Sequence, residues 1–294
     1  MRMTSTLVTV LLAGTCTFDA AAAPPINRTV FVTATTDNGE RVPDLTAADF
    51  VVKEGGKERE IVKAEPATGK LMLVVAVEEK LIGDGNIRQG LFDFMNRMVS
   101  AAEIRFVVIG LRNVVVSDFT SSMDTLVGAI NKLTLNPSRD SNVAEGVMDI
   151  AKDFTQSKPP RPAIVVVSLS GGQSGVEAKS VLDRVRDSGA TMHAATLQGG
   201  DANATAVGAL ADQSGREQVL GDGPKQSGGR RINVTATAAI PKALQQIAGD
   251  LTSQYAISYA LPDGVKPDRR LNVTVKRKGV TLRAPSVITD KVDK

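Results

Sequence analysis

Three regimes of hydrophobic patterning divide the chain. Residues 27–66 run in short β-branched stretches. Val30-Phe31-Val32-Thr33-Ala34 is closed by the turn Asp37-Asn38-Gly39, and Phe50-Val51-Val52-Lys53 turns through Glu54-Gly55-Gly56-Lys57 into Glu60-Ile61-Val62. The last two runs predict a hairpin. Residues 252–286 have the same texture: Gln254–Tyr259 reads as a strand, Arg270–Val275 alternates polar and apolar, and Lys278-Gly279 turns into Val280–Arg283. Neither stretch has enough strands to be stable alone, since two or three strands need a second layer over their apolar face. The two are therefore expected to pair into one discontinuous β module.

Between them the period changes. Leu71–Val77 and Ala163–Val167 are continuous apolar runs, Ile104–Ile109 is interrupted only by Arg105, and Thr191–Thr196 is a shorter candidate. Such runs indicate strands buried on both faces, as in a parallel sheet covered by helices. Helical spacing fills the gaps. It links Ile87, Leu91, Phe94 and Met98, then Met123, Leu126, Ile130 and Leu133, then Val143, Val147, Ile150 and Phe154. Further helices are predicted over about 176–187 and 204–213, and on Ile240, Leu244, Ile247 and Leu251. Strand alternating with helix predicts a doubly wound, mostly parallel α/β sheet flanked by helices over residues 68–251. The segments 27–66 and 252–286 form the small β module beside it.

The start of the chain reads differently. Arg2, the apolar stretch Leu7–Ala13 and the run Ala20–Ala23 before Pro24-Pro25 have the layout of a secretory signal. Residues 1–23 are expected to be removed on export to the periplasm or beyond, and the apolar stretch is well short of the ~20 residues a bilayer-spanning helix needs. Stable membrane insertion is not expected. The lone Cys16 falls inside this segment, one residue out of step with a lipoprotein anchor. The mature chain then carries no thiol and no disulfide. Sequons such as Asn233-Val234-Thr235 read as coincidences of Thr-rich strands.

Composition changes this picture little. Of 294 residues, 42% are hydrophobic and 23% charged, and with aromatics at 3% and no Trp the core must be aliphatic. A net charge of +3, with both signs interleaved, points away from a nucleic-acid partner.

In an open α/β sheet, ligands bind beyond the carboxyl ends of the strands. The loops there, 78–86, 112–122, 137–142 and 168–175, make the expected binding edge, with Glu78, Glu79, Ser141, Ser168, Ser170 and Gly171 as candidate contacts. The simpler reading of Glu78 and Glu79 is solvated loop charge. Ser168–Gly175 lies between a strand and a helix, where phosphate-cradling loops occur. It lacks the P-loop lysine and any Gly-x-Gly-x-x-Gly spacing, which leaves a flexible crossover as its simpler reading. His193, inside an apolar run, is expected to be a packed core residue, with no nucleophile beside it.

The segment Val42-Pro43-Asp44-Leu45-Thr46-Ala47-Ala48-Asp49-Phe50 with its Glu-Gly-Gly-Lys turn, the order of central elements, and the ending Leu251-Thr252-Ser253-Gln254-Tyr255-Ala256-Ile257-Ser258-Tyr259 together resemble von Willebrand factor A domains. The resemblance is greater to the bacterial exported proteins called von Willebrand A-related. It implies a non-catalytic module that binds a protein partner or an envelope assembly. It also implies a divalent cation held by Asp-x-Ser-x-Ser after the first strand, a Thr in the second loop and an Asp after the third long strand. This chain departs from that pattern. Val77-Glu78-Glu79-Lys80-Leu81 offers no Asp or Ser in register, Ser141 stands where the Thr belongs, and Ser168-Leu169-Ser170 replaces the Asp-containing turn. The expectation is a degenerate metal site, no cofactor and no enzyme activity. One alternative is a salvage cation site from Glu78 or Glu79, Asp140 and Ser141, which long Glu side chains and nearby Lys80 disfavour. A second is a phosphate- or nucleotide-binding enzyme using the Gly171-Gly172 loop. A purely structural role in an envelope assembly is also compatible with the sequence.

Overall fold

The computed structural model describes residues 26–132, 141–170, 174–198 and 208–291, with the side chains of 208–214 excepted. The expected leader with Cys16, and the candidate residues Asp140, Gly171 and Gly172, lie outside the described residues.

Four strands open the chain: β1 (Ile26–Thr36), β2 (Phe50–Glu54), β3 (Lys57–Arg59) and β4 (Ile61–Pro66). The α/β region follows with β5 (Leu71–Glu78), α1 (Gly85–Met98), β6 (Ala102–Ile109), β7 (Asn113–Thr120), α2 (Met123–Asn131), α3 (Val143–Ser157), β8 (Pro162–Leu169), α4 (Ala178–Ser188), β9 (Thr191–Leu197), α5 (Gly208–Ser227), β10 (Arg231–Val234) and α6 (Ile240–Thr252). The chain then returns through β11 (Gln254–Leu261), β12 (Leu271–Val275) and β13 (Val280–Arg283).

The central sheet runs β10-β9-β8-β5-β6-β7, parallel except for β7 at the edge. Strand alternation builds its two cores. Leu73, Val75 and Val77 of β5 face α1, α2 and α6, packing with Ile87, Leu91, Leu126 and Leu244. Val74 and Ala76 face α3, α4 and α5, packing with Val147, Ile150, Val181 and Val219. Both faces are apolar, so every inner strand reads as a continuous run. No helix among the described residues is long and apolar enough to cross a membrane.

The terminal segments do associate, and they share two sheets rather than one, β13-β1-β11-β4 and β12-β2-β3. Val30, Val32, Phe50, Val52, Tyr255, Ile257, Tyr259 and Val273 form the core between them. The expected hairpin is corrected in its second arm. β2 turns into the three-residue β3, whereas Ile61 and Val62 open β4, which pairs with β11 in the other sheet. The switch lets Ile61 and Ala64 pack on the module core.

The Leu-Thr-Ala-Ala-Asp-Phe motif also acquires a physical basis. Thr46 N–H donates to Asp49 Oδ2 at 2.8 Å, and Asp49 closes a capping box over a short 3-10 turn. That turn delivers Phe50 to the module core, where it meets Tyr255 at 5.8 Å. Tyr255 Oη donates to Val42 O (2.7 Å) and accepts from Leu45 N–H (3.1 Å), tying the same segment to β11.

Arg161, just before β8, joins module to sheet. Its guanidinium donates to Gln254 Oε1 (2.9 and 3.1 Å), Leu251 O (2.8 Å), Ala67 O (3.1 Å) and Gly69 O (2.9 Å). Burial pushes its pKa down to about 10, which still leaves it charged at neutral pH.

Two predicted segments need correction. Residues 112–122 were expected to be a loop, yet Asn113–Thr120 is β7, with Val114 and Val115 paired to Val108 and Val107 of β6. The fifth helix was expected to end near residue 213 and continues to Ser227.

Candidate functional site

Glu78 is the last residue of β5, on the parity of Val74 and Ala76, so its carboxylate is aimed inward at the carboxyl end of the sheet. It is 2% exposed, which overturns the reading of a solvated loop charge. Its Oε1 accepts from Ser141 Oγ at 2.9 Å, directly before α3. Its Oε2 accepts from Leu169 N–H at 2.8 Å and from Arg216 Nη2 at 2.6 Å.

Arg216 rises from α5 and is 1% exposed. Its Nη2 also reaches Ser168 Oγ (2.7 Å) and Leu169 O (2.8 Å). Ser168, fully buried, donates its own hydroxyl proton to Leu169 O at 2.8 Å, so its lone pairs are left to accept from the guanidinium. The result is a buried cluster of one carboxylate, two hydroxyls, the N–H and C=O of Leu169 and one guanidinium. A buried carboxylate is tolerated only when such partners satisfy it.

The structure thus brings Glu78, Ser141 and Ser168 together and leaves other candidates apart. Glu79 starts a 3-10 turn and leans over Gly110, where an added Cβ would stand 2.6 Å from its Oε2. Ser170 spends its N–H on Leu197 O at 2.9 Å. His193 is buried in β9, its Nδ1 accepting from Arg230 N–H at 3.2 Å. Burial, with Arg283 and Arg230 nearby, pushes its pKa down to about 3. It is a neutral core residue.

A divalent cation does not fit this arrangement. Hard cations require several oxygens converging within about 2.0–2.6 Å. Here Glu78 Oε2, Ser168 Oγ and Leu169 O converge at 2.6–2.8 Å on one nitrogen, Arg216 Nη2. The positive charge at that point is covalently part of the chain. Among the described residues there is no group of three or more His, Cys, Asp or Glu able to hold a metal.

Sequence reasoning missed two features. Arg216 was passed over because its helix was expected to stop short of it. The other is the hairpin between β6 and β7, where Leu111 (49%), Val114 (49%) and Val115 (52%) are exposed. The run Val114-Val115-Val116 was the available signal for it. This tip adjoins the Glu78 cluster, since Asn142 N–H donates to Gly110 O at 3.0 Å and its side chain to Leu111 O at 3.4 Å.

The sequence matches no family model and no curated protein. Among solved structures the chain is similar to proximal thread matrix protein 1 from the mussel byssus, at 12% identity and a TM-score of 0.51 over 74% of this chain and 51% of that one. It thus spans about half the length of the mussel protein. Also similar are the von Willebrand domain of the type V pilus tip protein Mfa5 from Porphyromonas gingivalis (11% identity, TM-score 0.46, 62% of this chain and 95% of that one) and the Rpn10 von Willebrand A domain (10%, 0.44, 60% and 93%). The protein has a von Willebrand A-like fold, with a β module formed by its two terminal segments.

Proposed function

We propose that this protein is an exported, non-catalytic protein-binding module whose binding edge works without a divalent cation. The observation that carries the reading is the apolar hairpin tip beside a cation position already filled by Arg216. Exposed large aliphatics cost solubility and mark contact surfaces when they gather. Of the five exposed large hydrophobics among the described residues, Leu111, Val114 and Val115 share this one hairpin. The adjoining cluster has no open coordination position to offer a partner's carboxylate, so recognition falls to shape and apolar contact.

The test is affinity capture from the native envelope or culture fluid with the mature chain. Capture of a defined partner should survive a chelator and be lost in Val114→Asp with Val115→Asp, exposed positions whose substitution leaves both cores intact. Capture abolished by chelation would sink the reading.

A further inference from the structure

We infer that the recess between the end of α5, the start of β10 and the end of β13 is a binding site for a small polyanion of the phosphate type. The recess is a cavity of about 340 Å³ whose lining includes Lys225, Arg230, Arg231 and Arg283, with Gly228 and Gly229 in its wall. It lies away from the Glu78 cluster and does not depend on the proposed function.

Two carboxylates answer these four cations. Asp250 takes both Arg230, whose Nη2 donates at 2.7 Å, and Arg283, while Glu217 takes Arg231 at 2.7 and 3.1 Å. Lys225 is exposed and makes no ion pair among the described residues. Among the described residues, four positive and two negative groups leave the site with two uncompensated positive charges. Arg283 shows the strain of this crowding: burial and the adjacent Arg230 hold its pKa below the ordinary arginine value, against the pull of Asp250.

The backbone also holds these cations together. Gly228, at φ 83°, approaches the chain just after β13 so closely that a Cβ would lie 2.7 Å from Pro285 N, and a Cβ on Gly229 would strike Met192 O of β9. Only glycine permits this juxtaposition of helix end and strand. Asp250, 2% exposed, clamps Arg230 and Arg283 side by side in the lining of the recess. Arginines fixed as a fork suit the oxygens of phosphate better than a single mobile lysine would.

A helix C-terminus attracts cations, which is the plainer explanation for basic residues here. It does not account for four of them. The last carbonyls of α5 are already served, Pro224 O by Gly229 N–H (2.9 Å) and Gln226 O by Ser286 N–H (2.9 Å). The three arginine side chains are recessed, at 26%, 16% and 21% exposure for 230, 231 and 283. A soluble anion can enter the recess; a flat surface cannot.

The experiment titrates the full mature chain with sodium pyrophosphate and follows melting temperature and binding heat, using sodium chloride at equal ionic strength as control. Saturable stabilisation by pyrophosphate alone is expected. Lys225→Glu, at an exposed and unpaired position, should weaken the affinity about tenfold, the size of one charge-assisted hydrogen bond. Arg231→Gln should weaken it likewise, and both variants should keep the wild-type far-ultraviolet circular dichroism. A pyrophosphate response no larger than that of chloride overturns the inference. So does a saturable response that both variants leave unchanged.

Discussion

Arg216 Nη2 lies 2.6 Å from Glu78 Oε2 although 138 positions separate the two residues, and both side chains are all but excluded from solvent. Among the described residues, each is the other's ion-pair partner. Removing one partner leaves an uncompensated buried ion, typically a loss of about 3–5 kcal/mol. Glu78→Gln and Arg216→Met are each expected to lower stability by about that amount in urea unfolding. The double variant should recover most of the loss, since replacing both charges with groups of similar shape is often close to neutral. Losses that simply add would show that the two residues do not interact.

Much of the fold was legible because burial on both faces writes itself as an unbroken apolar run. Leu71–Val77, Ile104–Ile109, Ala163–Val167 and Thr191–Thr196 fall within β5, β6, β8 and β9. Failures came where that physics is absent. β7 is an edge strand whose Val114 and Val115 face solvent, so its apolar residues carried no periodic signal. α5 contains Gly215, Gly221, Gly223 and Pro224, poor helix formers that make the segment read as a loop. Arg216 sits in that stretch, and the residue completing the candidate site was invisible for this reason. Glu78 was expected in the loop after the strand and is instead the last, buried residue of β5. A carboxylate next to Glu79 and Lys80 looks solvated until its distant partner is known.

His193 makes stability pH-dependent with a definite sign. Its folded-state pKa is pushed down to about 3, against 6.5 when unfolded. Below pH 6.5 the unfolded chain gains a proton that the native state refuses, so stability falls as pH falls and the loss levels off only near pH 3. The slope from this group approaches about 1.4 kcal/mol per pH unit. His193→Asn keeps an acceptor for Arg230 N–H and cannot titrate. The difference between wild type and variant, measured by denaturant unfolding between pH 7 and about 4, should follow that slope. A difference independent of pH would mean the imidazole protonates in place.

The pairing of the terminal segments can be tested by hydrogen exchange. β1 lies between β11 and β13, paired with β11 over Ile26–Thr33 and with β13 over Thr33–Thr36. β2 draws one of its two neighbours, β12, from the C-terminal segment. Deleting residues 252–294 is expected to strip amide protection from β1 and β2. The central sheet, with its own two cores, should keep most of its protection. Retained protection in β1 would contradict the observed sheet.

The sharpest expectation concerns cations. A ligand that binds only the native state stabilises it by about 2.7 kcal/mol at 100 times its dissociation constant. Millimolar Mg²⁺, Mn²⁺ or Ca²⁺ would raise the melting temperature visibly if a site of useful affinity existed. We expect a flat response from the protein, because Glu78 Oε2, Ser168 Oγ and Leu169 O already converge on the Arg216 guanidinium. A divalent ion could enter only by displacing a group tethered to α5, and it would then share a small space with a positive charge. Arg216→Ala releases the same oxygens, so a latent site would respond in that variant before it could in the parent. An upward shift in the unaltered protein that Glu78→Gln or Ser141→Ala removes would show that metal competes successfully with the arginine, and the module would then be cation-dependent after all.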